Sequence, residues 1–157
     1  MGRPIATLAA LGLLAAGLAG CAHEKVADSG YRWAFLSDAS EAPRLAYGRP
    51  SSDDVILMLS CSPGADSVKI SAVGLNGPEI VLASDRIESR FPAGRADSAL
   101  GDTGLLEARA RMSSPALAGF QHTGDLTILT NGERHNLHAR REDEDQVKAF
   151  FRTCAAA

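Results

Sequence analysis

Aromatic side chains are scarce in this sequence. Five Phe, two Tyr and one Trp are all that 157 residues contain, too few for a platform on which the bases of a single strand would stack. An excess of positive charge is missing too. Sixteen Lys and Arg stand against nineteen Asp and Glu, a net charge of −3, so no basic field marks a nucleic-acid surface. There is no internal repeat and no low-complexity tract. The sequence has no G-x-S-x-G, no S-x-x-K, no dinucleotide fingerprint and no phosphate-binding loop, so no cofactor is implied. What is present, 45% hydrophobic and 22% charged residues, suits one ordinary globular domain. Fifteen Gly and seven Pro spread along the chain suggest many turns and short elements.

One long apolar run occurs, IATLAALGLLAAGLAG at residues 5–20, preceded by Arg3. Its sixteen Ala- and Gly-rich residues fall short of the roughly 20 that a spanning helix needs, and they offer no polar face to a core helix. They fit the core of an export signal. The run ends in Leu18-Ala19-Gly20-Cys21, which resembles the lipobox of bacterial lipoproteins. The resemblance implies cleavage before Cys21, lipidation of its sulfur and acylation of its amine. Each buried methylene of such chains contributes roughly 0.8 kcal/mol of membrane binding. The next residue is Ala22, not Asp, which in Gram-negative lipoproteins implies transfer to the outer membrane, facing the periplasm. The competing reading is a secretory signal with Cys21 as a bystander. The expected organisation is a signal peptide at 1–20, the lipidated Cys21 with a short polar tether at 21–30, and a single periplasmic β-rich domain at 31–157. The implied partners are the membrane, through the lipid, and a periplasmic or outer-membrane protein; nucleic acid is not among them.

With Cys21 assigned to lipid, Cys61 and Cys154 remain. An even count in an oxidising compartment suggests one disulfide. Val55, Leu57, Leu59 and Cys61 alternate onto one strand face, while Val147, Phe150, Phe151 and Cys154 form a helical stripe, so both cysteines end on inward surfaces. Such a crosslink contributes roughly 4 to 5 kcal/mol in the chain-entropy model. A metal pair would need further ligands beside the cysteines.

Most of the remaining chain reads as strands: 31–38, 44–48, 54–61, 67–74, 79–85 and 106–112. Leu75-Asn76-Gly77-Pro78 is a turn signal, so 67–74 and 79–85 are expected to pair as a hairpin, with 86–91 continuing the second strand and 92–104 as a loop. Ser114-Pro115 suits an N-cap and first helical position, opening a short helix through about Phe120. Asn131-Gly132 marks a type I′ hairpin with Ile128 opposite His135 and Leu126 opposite Leu137. Asp143-x-x-Gln146 resembles a capping box for the last helix. The sum is a mainly-β (α+β) fold, an antiparallel β-sandwich or partly open barrel of about seven to nine strands with a short helix and a C-terminal helix.

Candidate chemistry is thin. Asp102-Thr103-Gly104 matches the aspartic-protease triplet, in which two Asp residues share a proton. It has one copy here and follows Gly101, so a turn with a self-capping Asp is the competing reading. His135 and His138 fall on opposite faces of a strand and cannot chelate one ion. Arg86, Arg90, Arg95, Arg109 and Arg111 could form a basic strip, but Asp85, Glu88, Asp97 and Glu107 interrupt it, as on a mixed solvated face.

Trp33, Leu45-x-Tyr47-Gly48-x-Pro50-Ser51-x-Asp53, the strand ending in Cys61 and the final Phe150-Phe151-x-x-Cys154 are similar to uncharacterised exported proteins of Gram-negative bacteria, which pair a mid-chain cysteine with one in a closing helix. That similarity implies export and the disulfide, with no assigned chemistry. The sequence thus points to a membrane-anchored, non-catalytic binding or envelope-associated module. The alternatives are an inhibitor of a cell-wall-degrading enzyme, on analogy with small disulfide-bonded lipoproteins, and a periplasmic hydrolase using Asp102.

Overall fold

The computed structural model describes residues 30–96, 104–130 and 132–156. Cys21, the apolar run before it and Asp102 lie outside the described residues. Nine strands make one antiparallel sheet: β1 (Arg32–Leu36), β2 (Arg44–Gly48), β3 (Val55–Cys61), β4 (Val68–Val73), β5 (Glu79–Ser84), β6 (Ile87–Ala96), β7 (Leu105–Ala110), β8 (Thr127–Thr130) and β9 (Glu133–Asn136). Two helices, α1 (Pro115–Thr123) and α2 (Glu144–Ala155), complete the fold. The spatial order is β1-β2-β3-β4-β7-β6-β5-β8-β9. The sheet curls into a half-barrel, so the partly open barrel, not the sandwich, is the form taken.

Period-two burial sets the curl's inner face. Leu57, Leu59, Cys61, Ile70, Ala72, Leu106 and Ala108 all point inward and are buried. The curl is carried by β6. Its first part pairs with β5, Glu79 opposite Pro92, and its last part pairs with β7, Ala93 opposite Ala108. Pro92 has no N–H to give to a ladder, and it sits where β6 changes partners. Residues 92–96, expected as loop, are therefore strand.

The helices fill the concave side. Helix α2 presents Val147, Phe150, Phe151 and Cys154 as the expected stripe, and each large side chain so buried contributes roughly 2 kcal/mol. It packs on β1 and β2, while α1 packs on β5 and β6. Cys154 is joined to Cys61 across a Cα separation of 5.8 Å, as expected. Gly119 lets α1 approach β5 closely, since a Cβ there would stand 2.7 Å from the Ser84 Oγ.

Three local expectations are overturned. The segment with the Asn76-Gly77-Pro78 signal is no hairpin: β4 pairs with β3 and β7, and β5 with β6 and β8. Its positive-φ glycines, Gly74 and Gly77, instead turn the chain past two strands. The real hairpin closes at Asp85-Arg86, with Ser84 opposite Ile87 and φ of 48° and 65° at the two turn residues. This is the backbone of a type I′ turn, which favours Asn-Gly. An L-residue held there costs about 1 kcal/mol that glycine avoids.

Second, Ser114 occupies the N-cap position with Pro115 following, but its side chain makes no cap. The N–H of Ala116 donates instead to the Ser89 Oγ of β6, at 3.1 Å. Helix α1 runs past Phe120 to Thr123 and ends on Gly124 at φ 72°. Third, Asp143 and Gln146 form no capping box. Both side chains serve β1: the N–H of Trp33 donates to Asp143 Oδ2 at 3.4 Å and that of Phe35 to Gln146 Oε1 at 3.2 Å. The β8–β9 hairpin follows its expected register, Ile128 opposite His135, and the Leu137 N–H donates to the Leu126 carbonyl at 2.7 Å.

Candidate functional site

At the end of the sheet where the domain begins, Tyr31 stacks on Tyr47 with ring centroids 5.8 Å apart. Its hydroxyl donates to Asp54 at 2.5 Å. The Arg49 guanidinium lies 5.2 Å from the Tyr31 ring and 3.3 Å from the same carboxylate. The Asp54 carboxylate, by accepting that hydrogen bond, pushes the Tyr31 phenol above its usual value. This trio fastens the first strand to the β2–β3 turn.

Beside it, Asp143 is the one buried carboxylate in the region, 2% exposed. It accepts from Arg32 at 3.3 Å through both Nε and Nη2, and Arg32 also meets Glu142 at 2.6 Å. The Trp33 indole N–H donates to the Leu137 carbonyl at 2.8 Å. Every one of these bonds ties β1 to the segment leading into α2. The cluster is structural.

The convex face is a mixed charge surface. Arg90 pairs with Glu79 at 2.6 Å and Glu88 at 3.4 Å, and Arg134 reaches Glu88 at 3.3 Å. This chain of ions lies across the outer side of β5, where Val81 and Ala83 are buried. Further along, Lys69 sits 2.9 Å from Glu107, and the ammonium holds that carboxyl below its ordinary value. Arg95 donates to Asn76 at 3.0 Å. Of the arginines in the interrupted strip, Arg90 and Arg95 are thus held by neighbours on this face.

Two shallow, open grooves flank this surface at opposite ends of β5. The first, about 360 Å³, lies between the β4–β5 connection (Asn76, Pro78, Glu79) and the β8–β9 turn (Thr130, Gly132). The second, about 450 Å³, runs beside the Asp85–Arg86 turn, with Ser84 and Thr127 along it and Asp125, Arg134 and Asn136 on its far side. Asp125 bonds His138 Nδ1, and Arg134 is engaged by Glu88. Asp85 and Arg86 have no ion pair among the described residues.

Among the described residues no group of three His, Cys, Asp or Glu side chains is placed to hold a metal ion, and His135 and His138 take separate partners, Glu133 and Asp125. Sequence reasoning placed Asp85 and Arg86 in an interrupted strip of charges but not in a turn, and it did not single out Asp125 or Arg134. They come from three distant segments, and none carries a local motif. The one signal was negative: a strand of thirteen residues, 79–91, is long for a domain of short elements. No helix among the described residues is long and apolar enough to cross a membrane. No family model, no curated protein and no solved structure matches the chain.

Proposed function

We propose that the protein is a lipid-anchored domain of the outer membrane that faces the periplasm and binds a protein or envelope component without catalysing a reaction. The observation that carries this reading is Leu18-Ala19-Gly20-Cys21 at the end of the apolar run 5–20. A covalent lipid anchor needs no spanning helix. Support comes from the other two cysteines. Cys61 and Cys154 are used up in one buried crosslink, which leaves Cys21 as the chain's lone remaining thiol. A crosslink of this kind persists in an oxidising compartment. The polar stretch from Ala22 to Gly30 serves as the tether.

The binding role is supported by the surfaces themselves. Both grooves are open at the surface, as suits contact with a partner. Crosslinking in intact cells is the test. Capture of one defined periplasmic or outer-membrane partner is expected, and that capture should depend on Cys21. Turnover of a substrate by the purified protein, abolished by Asp102→Asn, would replace this reading with the hydrolase.

A further inference from the structure

The Asp85–Arg86 turn violates its own local rule. Two adjacent residues hold positive φ, 48° and 65°, where Asn-Gly would fit without strain. Backbone held against preference marks positions that do something other than fold. The side chains supply a reason. Asp85 and Arg86 are the two charges lining this groove that no ion pair among the described residues engages, whereas Asp125 and Arg134 are already held by His138 and Glu88. They carry one charge of each sign. The hydroxyl of Thr127 and the amide of Asn136 border the same space, about 450 Å³, which is within the range of small-ligand sites.

The register places the groove at the far end of the strands from where the domain begins. Arg32 pairs with Gly48 at one end of the sheet, and across β3, β4 and β7 that end corresponds to Ala96 of β6, opposite Leu105. Ile87, at the other end of β6, is 53% exposed, the most exposed of the large apolar side chains among the described residues.

We propose that the groove beside the Asp85–Arg86 turn is a binding site for a short free peptide, whose two ends supply an ammonium and a carboxylate. The carboxylate pairs with Arg86 and the ammonium with Asp85, each as a charge-assisted hydrogen bond. The proposal rests on the binding reading above and narrows its ligand. No covalent step is involved.

The test is a titration of the isotope-labelled full-length protein, in detergent, followed by amide NMR. Three probes are compared: Ala-Ala, its N-acetylated form and its C-terminal amide. Saturable shifts confined to residues 84–86, 125–127 and 134–136 are expected with Ala-Ala, and at least tenfold weaker binding with either blocked form. Arg86→Gly should abolish the shifts while raising the melting temperature by about 4 °C, because glycine relieves the turn. Asp85→Asn, which the turn accommodates, should weaken Ala-Ala at least tenfold and erase its advantage over the N-acetylated form, while its advantage over the C-terminal amide, which reports on Arg86, persists. Absence of saturable shifts, equal binding of all three probes, or retained binding in Arg86→Gly would overturn the site. Capture of a protein partner in cells alongside a silent titration would overturn the groove and leave the binding reading intact.

Discussion

At Gly48 a Cβ would stand 2.6 Å from the Asp54 carbonyl oxygen, which is backbone and cannot swing away. Gly48→Ala should therefore displace the β2–β3 turn and cost about 1–3 kcal/mol, seen as a lower urea midpoint. The few aromatics are concentrated with similar economy. Tyr31, Tyr47, Trp33, Phe120, Phe151, Phe150 and Phe35 form one continuous series of ring contacts, joining β1, β2, α1 and α2. Phe120, fully buried between Trp33 and Phe151, should lose about 3–5 kcal/mol on replacement by Ala. The two tyrosines in that series also set an alkaline limit. The hydrogen bond to Asp54 raises Tyr31, and burial raises Tyr47, both from a usual value of 10.0. A phenol raised in the folded state contributes stability that is present below pH 10 and lost as pH rises through the folded value. Ultraviolet titration should show tyrosinate forming above pH 10 together with unfolding, and ionisation of both at 10 in an intact fold would contradict this. The burial of these residues was legible in their periodic positions. Their contacts were not, because Trp33 and Phe120 are far apart in sequence and meet only through the curl of the sheet.

Among the elements, α2 does more than cover the core. A free strand edge is a template for unwanted pairing, and β1 is such an edge. Asp143 and Gln146 accept the N–H groups of Trp33 and Phe35, which closes it. The opposite edge, β9, is protected differently, being four residues long with Glu133 and Arg134 exposed on it. The double substitution Asp143→Ala with Gln146→Ala should speed hydrogen exchange at the Trp33 and Phe35 amides at least tenfold. The amides within the β2–β3 ladder should be unaffected, since the disulfide keeps α2 in place. Unchanged exchange at Trp33 and Phe35 would show that the edge is sealed by other means. Helix α2, the β8–β9 hairpin register and the alternating strands were legible because each satisfies its own periodicity or pairing rule. The separation of β4 from β5 by two strands was not, because a turn signal fixes where a chain bends and not which strands then meet. The capping box failed for a related reason: a carboxylate and an amide at a helix start satisfy whichever donors are nearest, and here those belong to β1.

For the whole molecule, the Cys61–Cys154 bond closes a segment of 93 residues that includes strands β4 to β9. Replacing both cysteines with Ala should cost about 4 kcal/mol, measured by denaturant unfolding, while the sheet order is retained. The half-barrel class and the terminal helix could be read from the strand count and the final apolar stripe. The second groove could not, because its charged residues are brought together by a crossover and a turn that no local pattern announces. The central claim is that this half-barrel is held to a membrane by lipid on Cys21. Labelled palmitate fed to cells producing the full chain, compared with cells producing Cys21→Ser, tests it most directly. The account predicts label on the mature protein, recovery in the outer-membrane fraction, and loss of both in the variant. An unlabelled wild-type protein recovered in the soluble fraction would contradict it.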